Sequence, residues 1–119
     1  MIANVPTADV IVTNPTHYAV AIRYKHGEKT ANGEPTLPVV VAKGVDFLAL
    51  KIRELGGIHK IEIVEDPPLA RTLYKIVDVD KEIPYELYRA VGTLISFVYH
   101  LKAGRYVPYN KVEINEDDF

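Results

Sequence analysis

One run of sequence, residues 38–64, constrains the fold more than any other, because its spacing switches from strand to helix and back to strand. Pro38-Val39-Val40-Val41-Ala42 is apolar without alternation, the pattern of a strand covered on both faces, and a proline in first place costs no interior ladder bond. It is expected to lie centrally in a sheet. Val45, Leu48, Ile52 and Leu55 then recur at helical spacing, with Asp46 near the start and Gly56-Gly57 as the expected stop. Residues 58–64 read as the next strand. Strand, helix and strand in so few residues make a βαβ unit with parallel strands and a right-handed crossover. The fold class that follows is α/β, a small mixed β-sheet of about four strands flanked by about three or four helices.

The flanking segments fill in that sheet. Residues 9–13 are β-branched and end at the turn signal Asn14-Pro15-Thr16. Residues 17–24 alternate, with Tyr18, Val20, Ile22 and Tyr24 on one face, and predict a second strand antiparallel to the first. The polar stretch 25–36, with Gly27, Asn32-Gly33 and Pro35, is the internal segment expected to be disordered. Asp66-Pro67-Pro68 predicts a capped helix with an apolar stripe of Leu69, Ala70, Leu73, Tyr74 and Val77. Pro84 opens the longest helix, with Leu87, Val91, Leu94, Val98 and Leu101 facing the sheet and Gly104 as its stop. Residues 1–108 thus form a single domain. Residues 109–119 carry Lys111 against Glu113, Glu116, Asp117 and Asp118, an acidic tail expected to be disordered.

Composition bounds the chemistry. A chain of 119 residues with 48% hydrophobic side chains can bury a core without staples, and it has no cysteine. Thiol catalysis, disulfides and cysteine-ligated metals are therefore excluded. A net charge of −2 gives no basic field for nucleic acid. No apolar stretch approaches a membrane span and no signal peptide opens the chain, so it reads as a soluble piece.

Ser96, the sole serine, falls inside the last helix without Gly-x-Ser-x-Gly support. His17, His26, His59 and His100 are scattered and read as surface or capping residues rather than metal ligands. Glu62, Glu65 and Asp66 sit around a strand end and a helix cap, not as an acid–base pair. No cofactor and no metal are expected.

Asn14-Pro15-Thr16-His17 is the exception. Proline between Asn and Thr excludes glycosylation, and its missing N–H closes the deamidation route through the backbone nitrogen. What remains is attack by the Asn14 side-chain amide nitrogen on its own backbone carbonyl carbon, forming a succinimide and expelling Pro15 as a new amine. An amide is a poor nucleophile, so the step needs a turn that holds it in line and a group that moves protons. A proline-restricted Asn in a tight turn and a His three residues on can supply these. An ordinary β-turn with a surface His is the alternative.

Asn14-Pro15-Thr16-His17-Tyr18 after Ala8-Asp9-Val10-Ile11-Val12-Thr13, then Val41-Ala42-Lys43-Gly44, Lys51-Ile52-Arg53-Glu54 and Pro67-Pro68-Leu69-Ala70-Arg71, together resemble the cytoplasmic domain of the FlhB/YscU family of type III protein export components. The resemblance runs from about residue 8 to 102, and the wording of the last motifs is closer to the flagellar branch. It implies autocatalytic cleavage between residues 14 and 15, with Asn14 as nucleophile and electrophile, Pro15 as leaving group, and Thr16 and His17 shaping the turn and assisting proton transfer. This is a single intramolecular turnover, not an enzyme acting on an external substrate. It implies a switch of export from rod and hook substrates to filament substrates. It also implies four membrane helices ahead of this domain in the full-length inner-membrane protein, with the domain itself cytoplasmic. The implied partners are exported flagellar or type III substrates, an FlhA-like export component and a hook-length control protein.

Leu37, Pro38 and Ile95 are apolar residues outside the core stripes and form a second candidate contact site for partners. The competing reading is a non-cleaving interaction module of an injectisome or other secretion apparatus, with an inert turn.

Overall fold

A computed structural model describes residues 1–25 and 27–119; His26, read above as a surface or capping residue, lies outside the described residues. Four strands form one sheet in the order β3-β2-β1-β4: β1 (Val10–Asn14), β2 (Tyr18–Arg23), β3 (Val39–Val45) and β4 (Glu62–Glu65). β1 pairs antiparallel with β2 and parallel with β4, and β2 pairs antiparallel with β3. The sheet is therefore mixed, and β3 and β4 run in the same direction at opposite edges. α1 (Asp46–Ile58) connects them across the two central strands, which is the expected βαβ unit.

Alternation along the strands sorts the core into two layers. Val10, Val12, Val20, Ile22 and Val40 face α2 (Pro67–Ile76) and α3 (Tyr88–Lys102), with Leu69, Leu73, Leu87 and Leu94 completely buried between them. Ile11, Ala19, Ala21 and Ala42 face α1 and an N-terminal 3-10 helix (Ile2–Thr7). Each fully buried leucine or isoleucine contributes about 1.5–3 kcal/mol by leaving water. The layer order is α1, sheet, α2 with α3, and β1 lies inside it on both faces.

Three expectations change. β3 is an edge strand, not a central one. Its apolar run reflects helices on both faces, whereas its open edge is closed by residues 80–83, with Val40 N–H donating to the Lys81 carbonyl at 3.1 Å and Ile83 N–H to the Pro38 carbonyl at 2.9 Å. α1 runs through both glycines to Ile58 instead of stopping before them, because Gly56 is needed inside the helix: a Cβ there would overlap Ile11 Cδ1. The 27–36 stretch is exposed, as its polarity predicts, yet it closes on itself through Thr30 N–H to the Glu34 carbonyl at 2.8 Å and Thr36 N–H to the Glu28 carbonyl at 3.3 Å.

The acidic tail also differs from the expectation of disorder. Tyr109, Val112, Ile114 and Phe119 pack against the α2–α3 layer, and Glu116 pairs with Arg71. Tyr109 lies 5.2 Å from Phe97, ring to ring, and donates its hydroxyl to Asp66 Oδ2 at 2.7 Å. Asp66 is buried and caps α2, accepting from Leu69 N–H at 3.4 Å. Summed charge hides the alternation in which Val112, Ile114 and Glu116 turn inward while Lys111, Glu113 and Asn115 face water.

Candidate functional site: the turn between β1 and β2

Asn14 is the last residue of β1 and Tyr18 the first of β2, paired across a three-residue loop of Pro15, Thr16 and His17. His17 N–H donates to the Asn14 carbonyl at 2.9 Å, closing residues 14–17 into a β-turn. Asn14 and Pro15 are half-buried, and Thr16 and His17 are exposed. All four residues singled out in the sequence therefore meet in one hydrogen-bonded turn.

The turn is fastened to two other elements by three hydrogen bonds. The Thr13 carbonyl accepts from Asp66 N–H at 2.9 Å, tying the end of β1 to the cap of α2. The His17 carbonyl accepts from Asp46 N–H at 2.9 Å. The Pro15 carbonyl accepts from Arg53 Nη1 at 2.5 Å. The last two contacts come from α1, and neither Arg53 nor Asp46 stood out as a site residue in the sequence. The available signal was their separation of seven, which puts both on one helix face.

The His17 imidazole is not buried against the Asn14–Pro15 bond. Its Nδ1 lies 3.6 Å from Asp46 Oδ1, with the two side chains 62% and 76% exposed, so the pair adds little to stability. The main-chain N–H of His17 is the group aimed at the Asn14 carbonyl oxygen. Its 2.9 Å is the range in which a donor stabilises negative charge developing on a carbonyl under attack. Among the described residues no cluster of three or more His, Cys, Asp or Glu could hold a metal ion.

Leu37, Pro38 and Ile95 are half-buried rather than freely exposed, and the structure brings all three into one groove of about 520 Å³ with Tyr88, Val91 and Tyr99. The groove also touches Asp9 and Val10, at the start of β1. Asn14 lies at the other end of that strand, about 13–16 Å away. The two candidate sites are thus separate places on the surface. Ser96 is exposed at the groove rim and has no catalytic setting.

The sequence pattern of the "FlhB HrpN YscU SpaS Family" matches residues 1–98. The chain is 50% identical over 102 residues to flagellar biosynthetic protein FlhB of Yersinia enterocolitica and 47% identical over 105 residues to that of Salmonella typhimurium, covering 86% and 88% of this chain. It spans about a quarter of the length of these relatives, 25% and 26% respectively. Its fold is similar to the crystal structure of the cytoplasmic domain of FlhB from Shewanella putrefaciens, with a TM-score of 0.76 and 40% identity, covering 92% of this chain and 86% of that one. No described helix is long and apolar enough to cross a membrane.

Proposed function

Because this chain belongs to the FlhB HrpN YscU SpaS family of flagellar and type III export components, we propose that it is the part of such a component that cuts its own backbone between Asn14 and Pro15 and so switches the export gate from rod and hook substrates to filament substrates. The observation that carries the reading is the Asn14 carbonyl at the start of the turn, hydrogen-bonded by His17 N–H at 2.9 Å, with buried strands on both sides of it.

The chemistry needs no outside reactant. Asn14 Nδ2 attacks the Asn14 carbonyl carbon, the oxyanion develops against His17 N–H, and the bond to the Pro15 nitrogen breaks as that nitrogen takes the proton lost by Nδ2. The products are a C-terminal succinimide on residue 14, later opened by water, and a free Pro15 amine. Thr16 and His17 shape the turn, and the exposed His17 imidazole can carry the proton through solvent. This is one turnover per chain.

Cleavage leaves the domain assembled. Residues 10–14 keep their pairing with β2 and residues 10–13 theirs with β4, and Val10, Ile11 and Val12 remain fully buried. What changes is the surface around residues 14–17. That surface and the groove of Leu37, Pro38 and Ile95 are the contact sites for exported substrates, an FlhA-like export component and a hook-length control protein. Nucleic acid is not a partner. In the full-length protein an N-terminal membrane region holds the domain at the cytoplasmic face of the inner membrane.

Intact mass under denaturing conditions tests the reading, comparing wild type with Asn14→Ala after long incubation at neutral pH. Fragments matching residues 1–14 and 15–119 in the wild type alone are expected. A single uncut mass in both would leave an interaction domain with an ordinary turn.

A further inference from the structure

The backbone of the turn is gripped from outside its own hairpin through carbonyl oxygens, beside the exposed side-chain pair of His17 and Asp46. α1 reaches it twice: Asp46, its first residue, donates its N–H to the His17 carbonyl at 2.9 Å, and Arg53 donates from Nη1 to the Pro15 carbonyl at 2.5 Å. Positions 46 and 53 lie two helical turns apart on one face, a rise of about 10.5 Å. The helix therefore holds residues 15 and 17 and leaves Thr16 between them exposed. Asp46 adopts φ +49° to do this, a conformation that non-glycine residues keep only where the surroundings impose it.

Pro15 explains why such a grip matters. Asn14 is fixed through the β1 ladder, but proline has no N–H, so residue 15 can be anchored through its carbonyl alone. Resting on the self-cleavage reading, we propose that Arg53 is a positioning residue for rupture of the 14–15 bond, holding the Pro15 carbonyl so that the leaving nitrogen stays still while the Asn14 carbon is attacked. Arg53 touches none of the reacting atoms. In the step the Nδ2–carbonyl carbon bond forms, the bond from that carbon to the Pro15 nitrogen breaks, and one proton passes from Nδ2 to that nitrogen. The guanidinium neither gives nor takes a proton in this step. Its part is geometric: an in-line approach is lost when a reacting segment moves by as little as an ångström.

The test follows cleavage of freshly synthesised chain by intact mass over time, in wild type, Arg53→Ala and Arg53→Lys. Thermal unfolding of each on the Asn14→Ala background checks the fold without cleavage. Arg53→Ala is expected to cleave about 10- to 100-fold more slowly. Arg53→Lys, with a point donor on a flexible stem, falls between them. Guanidinium ions, well below concentrations that unfold the domain, are expected to speed Arg53→Ala and leave wild type unchanged, which a packing role would not produce. A folded Arg53→Ala that cleaves at the wild-type rate overturns the proposal. If Arg53→Ala does not fold, Arg53→Gln, which keeps most of the stem, decides by the same comparison. A wild-type chain that never cleaves overturns the self-cleavage reading and this assignment with it, a result distinct from a cleaving wild type indifferent to Arg53.

Discussion

Arg71 on α2 and Glu116 in the C-terminal segment form a two-bond fork, Nε to Oε1 and Nη2 to Oε2, both at 2.9 Å. The fork's hydrogen bonds raise the Arg71 guanidinium above its ordinary value and hold the Glu116 carboxyl below its own, with burial opposing both shifts. A lowered carboxyl contributes its stability above its ordinary range and loses it as pH falls through the lowered value. Both side chains are 39% exposed, so solvent limits the fork to about 1 kcal/mol or less. Glu116→Gln is expected to increase amide exchange across 109–119 at neutral pH, while β1 and β2 stay protected. Acidifying the wild type should reproduce that pattern. Equal exchange in both proteins at neutral pH would remove the fork as the tether of the tail.

The stronger hold on the tail is Tyr109. Its hydroxyl donates to a carboxylate that is only 2% exposed, so Tyr109→Phe strands a buried acceptor and should cost about 1–3 kcal/mol in urea unfolding. Burial first, and then the bond to Asp66, pushes the phenol well above its ordinary 10.0. A raised group contributes fully below its ordinary value and loses that contribution as pH rises beyond it. The gap between wild type and Tyr109→Phe should therefore be constant up to about pH 10 and shrink above it. Unfolding curves that superimpose at neutral pH would contradict this.

Adjacent glycines in α1 should respond with opposite signs. Gly56→Ala drives a methyl into Ile11 Cδ1 at the heart of the sheet and is expected to destabilise by about 1–3 kcal/mol. Ile11→Val should recover part of that loss in the double mutant. Gly57 has nothing within 4 Å of its would-be Cβ, so Gly57→Ala should stabilise by up to about 1 kcal/mol through helix propensity. Thermal melts of Gly56→Ala, Gly57→Ala and the Gly56→Ala/Ile11→Val double mutant check the order.

The groove and the turn predict separable phenotypes. Alanine at Leu37, Pro38 and Ile95 should reduce export in cells while intact mass still records cleavage, because the groove sits at the far end of β1 from Asn14. Unchanged export of every substrate class would remove the groove as a contact site. Loss of cleavage in these variants would show instead that the two ends of β1 are coupled.

The sequence by itself determined what is local. Period-2 alternation in 18–23, the cap at Asp66 with its two prolines and the helical spacing in α1 and α3 each reflect contacts within a few residues, and these elements formed in the segments the pattern marked, although α1 runs on through Gly56-Gly57 and the helix expected from Pro84 opens with a 3-10 turn (Tyr85–Leu87) before α3. The turn at Asn14-Pro15-Thr16-His17 was equally legible, since its Asn-Pro signal lies in neighbouring residues. Tertiary structure decided what depends on distant partners. An apolar run such as 39–42 reports that both faces are covered, but it cannot say whether a neighbouring strand or residues 80–83 closes the edge. Gly56 looks like a helix stop until Ile11 is found against it. Lys111, Glu113 and Asp117 make the tail look merely acidic until Arg71, Asp66 and the α2–α3 layer receive its alternate residues. The grip of Arg53 on Pro15 spans 38 positions, and only the packing of α1 across the sheet brings the two together.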